Sequence, residues 1–141
     1  MATEATITIS SDIAPGIGTI SKSMTLTQAG TITDIDSTTG FSIRKLNATG
    51  AVDLVTMASE LVEPKDSTAA KIYIRNIGDG QGNIDKSTYV EVGINSQAIG
   101  RLYGGDWLMM PLTVIDADDV TVNPETDNVV VLEYIMFYEE A

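Results

Sequence analysis

Residues Asp79 to Asp85 place oxygen-bearing side chains at alternating positions, as a calcium-binding loop does. A helix-loop-helix calcium site also needs glycine at its sixth position and a bidentate glutamate at its twelfth, where this chain has Ile84 and Val90. We therefore expect a hairpin loop at this position. The acidic turn from Asp116 to Asp119 is likewise interpreted as a solvated turn, and no metal site is predicted.

Other residues that could support catalysis lack the partners that catalysis requires. Asp106 beside Trp107 combines a carboxylate with an aromatic neighbour, but glycoside hydrolysis needs a second carboxylate across a cleft. The stretch from Gly100 to Gly105 lacks the Lys-Ser or Lys-Thr ending of a phosphate-binding loop. Cysteine and histidine are absent, which removes the thiolate nucleophile, the usual proton shuttle and the commonest transition-metal ligand. We predict no enzymatic activity, no catalytic residue and no cofactor.

The charge balance restricts the partners of the chain. Its 141 residues carry a formal net charge of -12, and only eight are Lys or Arg. Binding to nucleic acid or to an anionic membrane surface requires clustered cations, so neither is expected. The acidic surplus keeps a protein soluble at high copy number, or it complements a basic partner surface. No export signal and no membrane-spanning segment is visible in the sequence.

Alternation of apolar and polar residues predicts a single all-β domain. Between Lys71 and Arg75 the apolar Ile72 and Ile74 alternate with polar residues, and the pattern repeats from Thr88 to Ile94. Turn residues separate these runs, and no long helical periodicity occurs. Further strands are predicted over Phe41 to Leu46, Ala51 to Val55, Ala98 to Tyr103, Trp107 to Leu112, Val120 to Asn123 and Val129 to Tyr138.

The connections and the packing of these strands can be predicted in part. Asn47 to Gly50 has turn chemistry and is expected to join its flanking strands into a hairpin. Met57 to Val62 is read as a single helical turn between sheets. The strand that begins at Trp107 is expected to be central to packing, because a large apolar side chain contributes about 1.5 to 3 kcal/mol when fully buried. Trp107→Ala should therefore cost several kcal/mol, and Pro111 should mark the end of that strand or an edge position.

Residues 1 to 40 differ from residues 41 to 141, which form the predicted core of the domain. The first segment is rich in Thr, Ser, Ile and Gly and contains short alternating runs. We interpret it as the first strands of the same sandwich, within one domain. The alternative is an extended arm that adds strands to a neighbouring subunit.

The order of several motifs suggests a family. The stretch from Ala98 to Pro111, with Lys71 to Asn76 before it and Leu132 to Glu139 after it, resembles small virion proteins of tailed phages of the marine and cyanobacterial type. The resemblance implies an antiparallel β-sandwich, jelly-roll-like, without enzymatic activity. It implies a capsid decoration (cement) protein, a knob or a short fibre component, located on the virion after assembly in the host cytoplasm. Its partners would be the major capsid protein and further copies of itself, with a trimer as one arrangement.

A subunit of this kind should use outward aromatic residues as its interface, because aromatic residues are enriched in interface cores. The interface candidates, each of which could instead pack inside the sandwich, are Tyr73, Tyr103, Trp107, Tyr134 and Tyr138. A second hypothesis is a receptor- or glycan-binding module of a fibre or tail, in which exposed aromatic residues grip a host sugar. An unrelated bacterial adhesin would also fit if the resemblance is accidental.

Overall fold

The computed structural model describes residues 3–10, 18–31, 33, 35–55, 69–113 and 119–140. These ranges contain antiparallel β-strands and no helix, so they also contain no helix able to cross a membrane. The strands are β1 (Glu4–Ile9), β2 (Ile20–Thr25), β3 (Ser37–Thr38), β4 (Ser42–Leu46), β5 (Val52–Val55), β6 (Ala69–Asn76), β7 (Tyr89–Ile94), β8 (Gln97–Tyr103), β9 (Trp107–Thr113), β10 (Val120–Pro124) and β11 (Val130–Tyr138).

Two facing sheets form a sandwich with the strand order of a jelly roll. The five-stranded sheet has the order β3-β11-β6-β9, with β4 also paired to β11, and the four-stranded sheet has the order β5-β10-β7-β8. From β4 to β11 the first strand pairs with the last, the second with the second to last, and so on inward. The pairs are β4 with β11, β5 with β10, β6 with β9 and β7 with β8. An antiparallel ribbon rolled up in this way is a jelly roll. The predicted all-β, jelly-roll-like sandwich is confirmed.

The core lies between the two sheets and consists of the inward residues of each strand. Ile72 and Ile74 of β6 face Val90 and Val92 of β7, and all four are at most 1% exposed. The inward positions predicted for these two strands are therefore correct. The same cluster includes Leu46, Leu54, Val55, Leu102, Val120, Val122, Leu132, Met136 and Tyr138.

The N-terminal hairpin forms a separate layer. Strands β1 and β2 pair with each other in a two-stranded sheet and extend neither sheet of the sandwich. The expectation that residues 1 to 40 form the first strands of the sandwich is therefore wrong for β1 and β2, whereas β3 does pair with β11 in the five-stranded sheet. A second apolar cluster, built around Leu26, Ile35 and Phe137, packs this segment against the outer face of the five-stranded sheet. The buried Lys71 donates hydrogen bonds from its Nζ to the backbone carbonyls of Thr25 and Gln28 and fixes the chain after β2.

Both predicted hairpins are wrong. Strands β4 and β5 lie in different sheets, so Asn47 to Gly50 crosses between the sheets. The loop from Asp79 to Asp85 likewise connects β6 of one sheet to β7 of the other. Turn residues reverse the chain, but they do not determine the sheet in which the next strand pairs. The tight turn at Asn95 and Ser96 does join a hairpin, β7 and β8, and both residues have positive φ.

The expectation that the strand of Trp107 is central to packing is also wrong. Strand β9 is the edge of the five-stranded sheet, and Trp107 is 49% exposed. Pro111 is exposed on this edge strand, as its missing N–H requires. The predicted helical turn over Met57 to Val62 lies outside the described residues.

Candidate functional site

The five aromatic interface candidates do not share one surface. Tyr73 and Trp107 lie together on the outer face of the five-stranded sheet, with ring centroids 6.4 Å apart. Tyr103 lies on the other sheet and is 37% exposed. The expectation of an outward position is wrong for Tyr138, which is 6% exposed in the core, and for the half-buried Tyr134, which packs against that core. Alternation along β11 places both of these side chains on its inner face.

A polar cluster accompanies Tyr73. Its hydroxyl donates to Glu133 Oε1 over 3.2 Å, and the Arg75 guanidinium lies beside it. Burial raises the pKa of the Tyr73 hydroxyl, and the Glu133 carboxylate raises it further. Tyr73 is therefore a neutral hydrogen-bond donor near pH 7. The Nε–H of Arg75 is buried and has no hydrogen-bond acceptor within the described part of the chain.

A groove runs beside this cluster, between β1 of the N-terminal hairpin and the outer face of β6 and β9. Its volume is about 470 Å³, within the range of small-molecule sites. Backbone and side chains of both layers contribute to it, so the groove exists only because the hairpin packs on the sandwich. The lining residues are Ala5, Thr6, Ile7, Tyr73, Arg75, Gly105, Trp107 and Met109.

The opposite edge of the same sheet carries an exposed apolar patch that the sequence reasoning missed. Strand β4 pairs with β11 on one side and is unpaired on the other among the described residues. Phe41 and Ile43 are 75% and 69% exposed, and the neighbouring Arg44 and Lys45 are exposed as well. We call these four residues the β4 edge. The alternation was visible in the sequence, but alternation does not reveal which face is covered.

The tip of the N-terminal hairpin is the second exposed apolar surface. Ile9 and Ile20 are paired across the hairpin and are 55% and 43% exposed. The other face of the hairpin is hydroxylic, with Thr6 Oγ1 and Ser23 Oγ in a hydrogen bond of 2.7 Å. One face of this hairpin is therefore apolar and the other is polar, and the Ile9–Ile20 pair at its tip is not covered by any other described residue.

The outer face of the four-stranded sheet holds a self-contained cluster around Tyr103. Its ring meets the Tyr89 ring edge-on at 5.3 Å, and the Arg101 guanidinium lies 4.4 Å from the centroid of Tyr89. Glu91 pairs with Arg101 at 3.5 Å. These side chains use much of their interaction capacity within the cluster. Tyr103 is therefore less available for contact with a partner than Trp107.

The loop that superficially resembled a calcium site uses its carboxylates within itself. Asp79 Oδ1 accepts the backbone N–H groups of Gln81 and Asn83, and its Oδ2 accepts the Asn83 side-chain amide at 2.8 Å. These bonds lower the pKa of Asp79, the Asn83 side chain most. Within the described ranges no group of three or more potential metal ligands occurs. Most of the acidic turn from Asp116 to Asp119 lies outside those ranges.

Asp106, considered above as a catalytic carboxylate, stabilises a turn of the backbone. Its Oδ2 accepts the backbone N–H of Tyr103 over 3.1 Å and closes the turn between β8 and β9. Its backbone carbonyl accepts the N–H of Asn76. The Gly-Gly-Asp turn therefore connects the two sheets.

Comparisons with known proteins assign the chain to no family. No protein-family model and no curated protein matches it. Among solved structures, the cupin domain of Cnp3 from Schizosaccharomyces pombe aligns with 97% of this chain and 83% of its own length, with a TM-score of 0.41 and 10% identity. A likeness of this degree carries no inference about function.

Proposed function

We propose that this chain is a non-enzymatic structural subunit of a tailed-phage virion, which binds the head shell as a capsid decoration protein. Two independent considerations support the proposal. Motifs spread over residues 71 to 141 resemble such proteins. In addition, the single chain leaves apolar side chains exposed to water at two places, where contact with a partner would bury them. A decoration protein stabilises the shell because it binds the assembled form, and this needs no catalytic group.

The observation that carries the proposal is the β4 edge. Phe41, immediately before β4, and Ile43, on β4, expose most of their side chains, and the outer backbone groups of β4 are unpaired among the described residues. An open strand edge with apolar side chains favours association with another chain. Arg44 and Lys45 on this strand are two of only eight cations, so the β4 edge suits an acidic contact on the major capsid protein.

The hairpin tip supplies a second contact of the same kind. Ile9 and Ile20 project from a layer that is anchored to the sandwich at its other end by Leu26 and Lys71. Because the hairpin belongs to neither sheet of the sandwich, its tip can contact a neighbouring subunit without any change in the sandwich. Other copies of the chain are its natural partners in a trimer or another closed ring on the shell.

The test is binding to phage heads that lack this protein, measured by co-sedimentation and by electron microscopy of the particles. The native chain should bind and raise the temperature at which the heads release DNA. The double variant Phe41→Ser with Ile43→Thr should bind at least about tenfold more weakly, a change of about 1.4 kcal/mol.

The matched control is Ile99→Thr, since Ile99 is a comparably exposed strand isoleucine at 52% on the other sheet. This variant should bind like the native chain. Equal binding by all three proteins would remove the β4 edge from the interface. Failure of the native chain to bind heads, combined with its presence on tails or fibres, would replace decoration with the receptor-binding alternative.

A further inference from the structure

We propose that the groove between β1 and the outer face of β6 and β9 binds a neutral saccharide. The proposal is independent of attachment to a head shell, because it concerns a different surface. The groove lies at the β9 edge of the five-stranded sheet, whereas the β4 edge is separated from it by β11 and β6.

An aromatic wall with apolar neighbours is the first feature that suits a sugar. Trp107 is 49% exposed and Tyr73 lies 6.4 Å away at an interplanar angle of 38°, so both rings border the same open space. Met109 and Ala5 add further apolar surface. The C–H face of a pyranose packs on exposed aromatic rings of this kind, because ring faces carry partial negative charge.

Unused hydrogen-bonding capacity is the second feature. Arg75 lines the groove, and its buried Nε–H has no acceptor among the residues that the structure describes. A ligand cannot reach this buried atom, but the guanidinium carries further N–H groups on its two terminal nitrogens, and these can donate to an oxygen atom in the groove. Tyr73 lines the groove next to Arg75, and its hydroxyl oxygen can accept a hydrogen bond while its proton is donated to Glu133. Sugar hydroxyls both donate and accept, and so they match a guanidinium beside a tyrosine hydroxyl.

The charge distribution selects a neutral ligand. The chain has a net charge of -12, and the Glu133 carboxylate lies beside the one cation of the groove lining. A carboxylated or sulfated glycan, a nucleotide or a phospholipid headgroup would meet repulsion from this field. A neutral oligosaccharide does not.

The single tryptophan of the chain reports on the groove directly. Tryptophan emission is recorded while the full-length protein is titrated with maltose, lactose, cellobiose and N,N′-diacetylchitobiose at millimolar concentrations. At least one of these probes should shift or quench the emission of Trp107 saturably. Arg75→Gln should weaken that binding at least about tenfold, about 1.4 kcal/mol.

Tyr103→Ala is the matched control, because it removes an exposed aromatic residue from the opposite sheet. Its affinity should equal that of the native chain, and circular dichroism should show that each variant is folded. Three results would overturn the proposal: no response to any of the four probes, a response that Arg75→Gln leaves unchanged, or an emission shift that depends on protein concentration alone. The last result would assign Trp107 to a contact between copies of the chain.

Discussion

The side-chain amide of Asn76 at the end of β6 donates a hydrogen bond of 3.1 Å to the carbonyl oxygen of Leu102 in β8, and this bond joins the two sheets. Asn76 is 2% exposed, and its Oδ1 accepts the N–H of Gly78 at 3.0 Å. Its backbone N–H and carbonyl bond to Asp106 and Gly105. The strand ending in Asn and the Gly-Gly-Asp turn, two separate motifs in the sequence, form one structural connection.

Asn76→Ala should lower the free energy of unfolding by about 2 to 6 kcal/mol. Two buried partners, the Leu102 carbonyl and the Gly78 N–H, lose their hydrogen bonds, and each unsatisfied group costs about 1 to 3 kcal/mol. Urea unfolding followed by circular dichroism measures the change. Asn128→Ala, at an exposed position, should stay within about 0.5 kcal/mol of the native chain. An equal decrease in the free energy of unfolding in both variants would show that Asn76 does not stabilise the connection between the sheets.

Gly104→Ala should destabilise the chain although its backbone conformation is ordinary. A Cβ at this position would come within 2.2 Å of the Asp85 carbonyl oxygen, which is fixed backbone. Relief of this overlap requires a backbone shift, and overpacking of this kind costs about 1 to 3 kcal/mol. Gly100→Ala, where a Cβ would meet nothing within 4 Å, is the control and should not be destabilising. Thermal melting of the two variants distinguishes a close contact from a general intolerance of alanine in this strand and turn.

Tyr138→Ala should cost more stability than Trp107→Ala, which reverses the ranking expected from side-chain size. Tyr138 is 6% exposed in the core and Trp107 is 49% exposed at a sheet edge. Truncation of a buried aromatic residue costs about 3 to 5 kcal/mol. For the half-exposed Trp107 we expect about 1 to 2 kcal/mol, since about half of its area stays in water in either state. Denaturant midpoints of the two variants in the same buffer check the order.

Lys71→Met should loosen the N-terminal layer and leave the sandwich intact. The native Nζ bonds to the carbonyls of Thr25 and Gln28, and methionine keeps the apolar stem but cannot donate. Burial lowers the pKa of the Lys71 amine, so the replacement also removes a desolvated charge.

Hydrogen exchange followed by mass spectrometry is the measurement for Lys71→Met. Amides of residues 20–31 should exchange faster, whereas those of β6 and β11 should be unchanged. Lys45→Met, at an exposed position, should match the native chain throughout. Unchanged exchange in residues 20–31 would show that the apolar contacts of Leu26 and Ile35 hold the layer without Lys71.

Most strands were predictable because alternation is a local property of the chain. The run from Ala98 to Tyr103 corresponds to β8. The run from Val129 to Tyr138, which was predicted because it is apolar on both faces of a strand, corresponds to β11. The two-residue strand β3 was missed, since two residues carry no period. The pairing was less predictable: hairpins were expected after β4 and β6, where the chain in fact crosses to the other sheet.

The candidate sites were predictable in residue type but not in location. The sequence singled out Trp107 and Tyr73, and the fold brings them together beside Arg75. It grouped Tyr103 and Tyr138 with them, although one lies on the opposite sheet and the other in the core. Phe41 and Ile43 passed unnoticed, because their exposure depends on whether a distant segment packs over them, and none of the described segments does.

The sequence by itself determined the all-β class, the position of most strands and the acidic charge, because these follow from the spacing of apolar residues and from counting ionisable groups. The tertiary structure decided which strands pair, which aromatic rings meet and which apolar residues stay uncovered. These properties depend on contacts between residues that are distant in the chain. Asn76 and Leu102, 26 positions apart, become neighbours only when the two sheets close on each other.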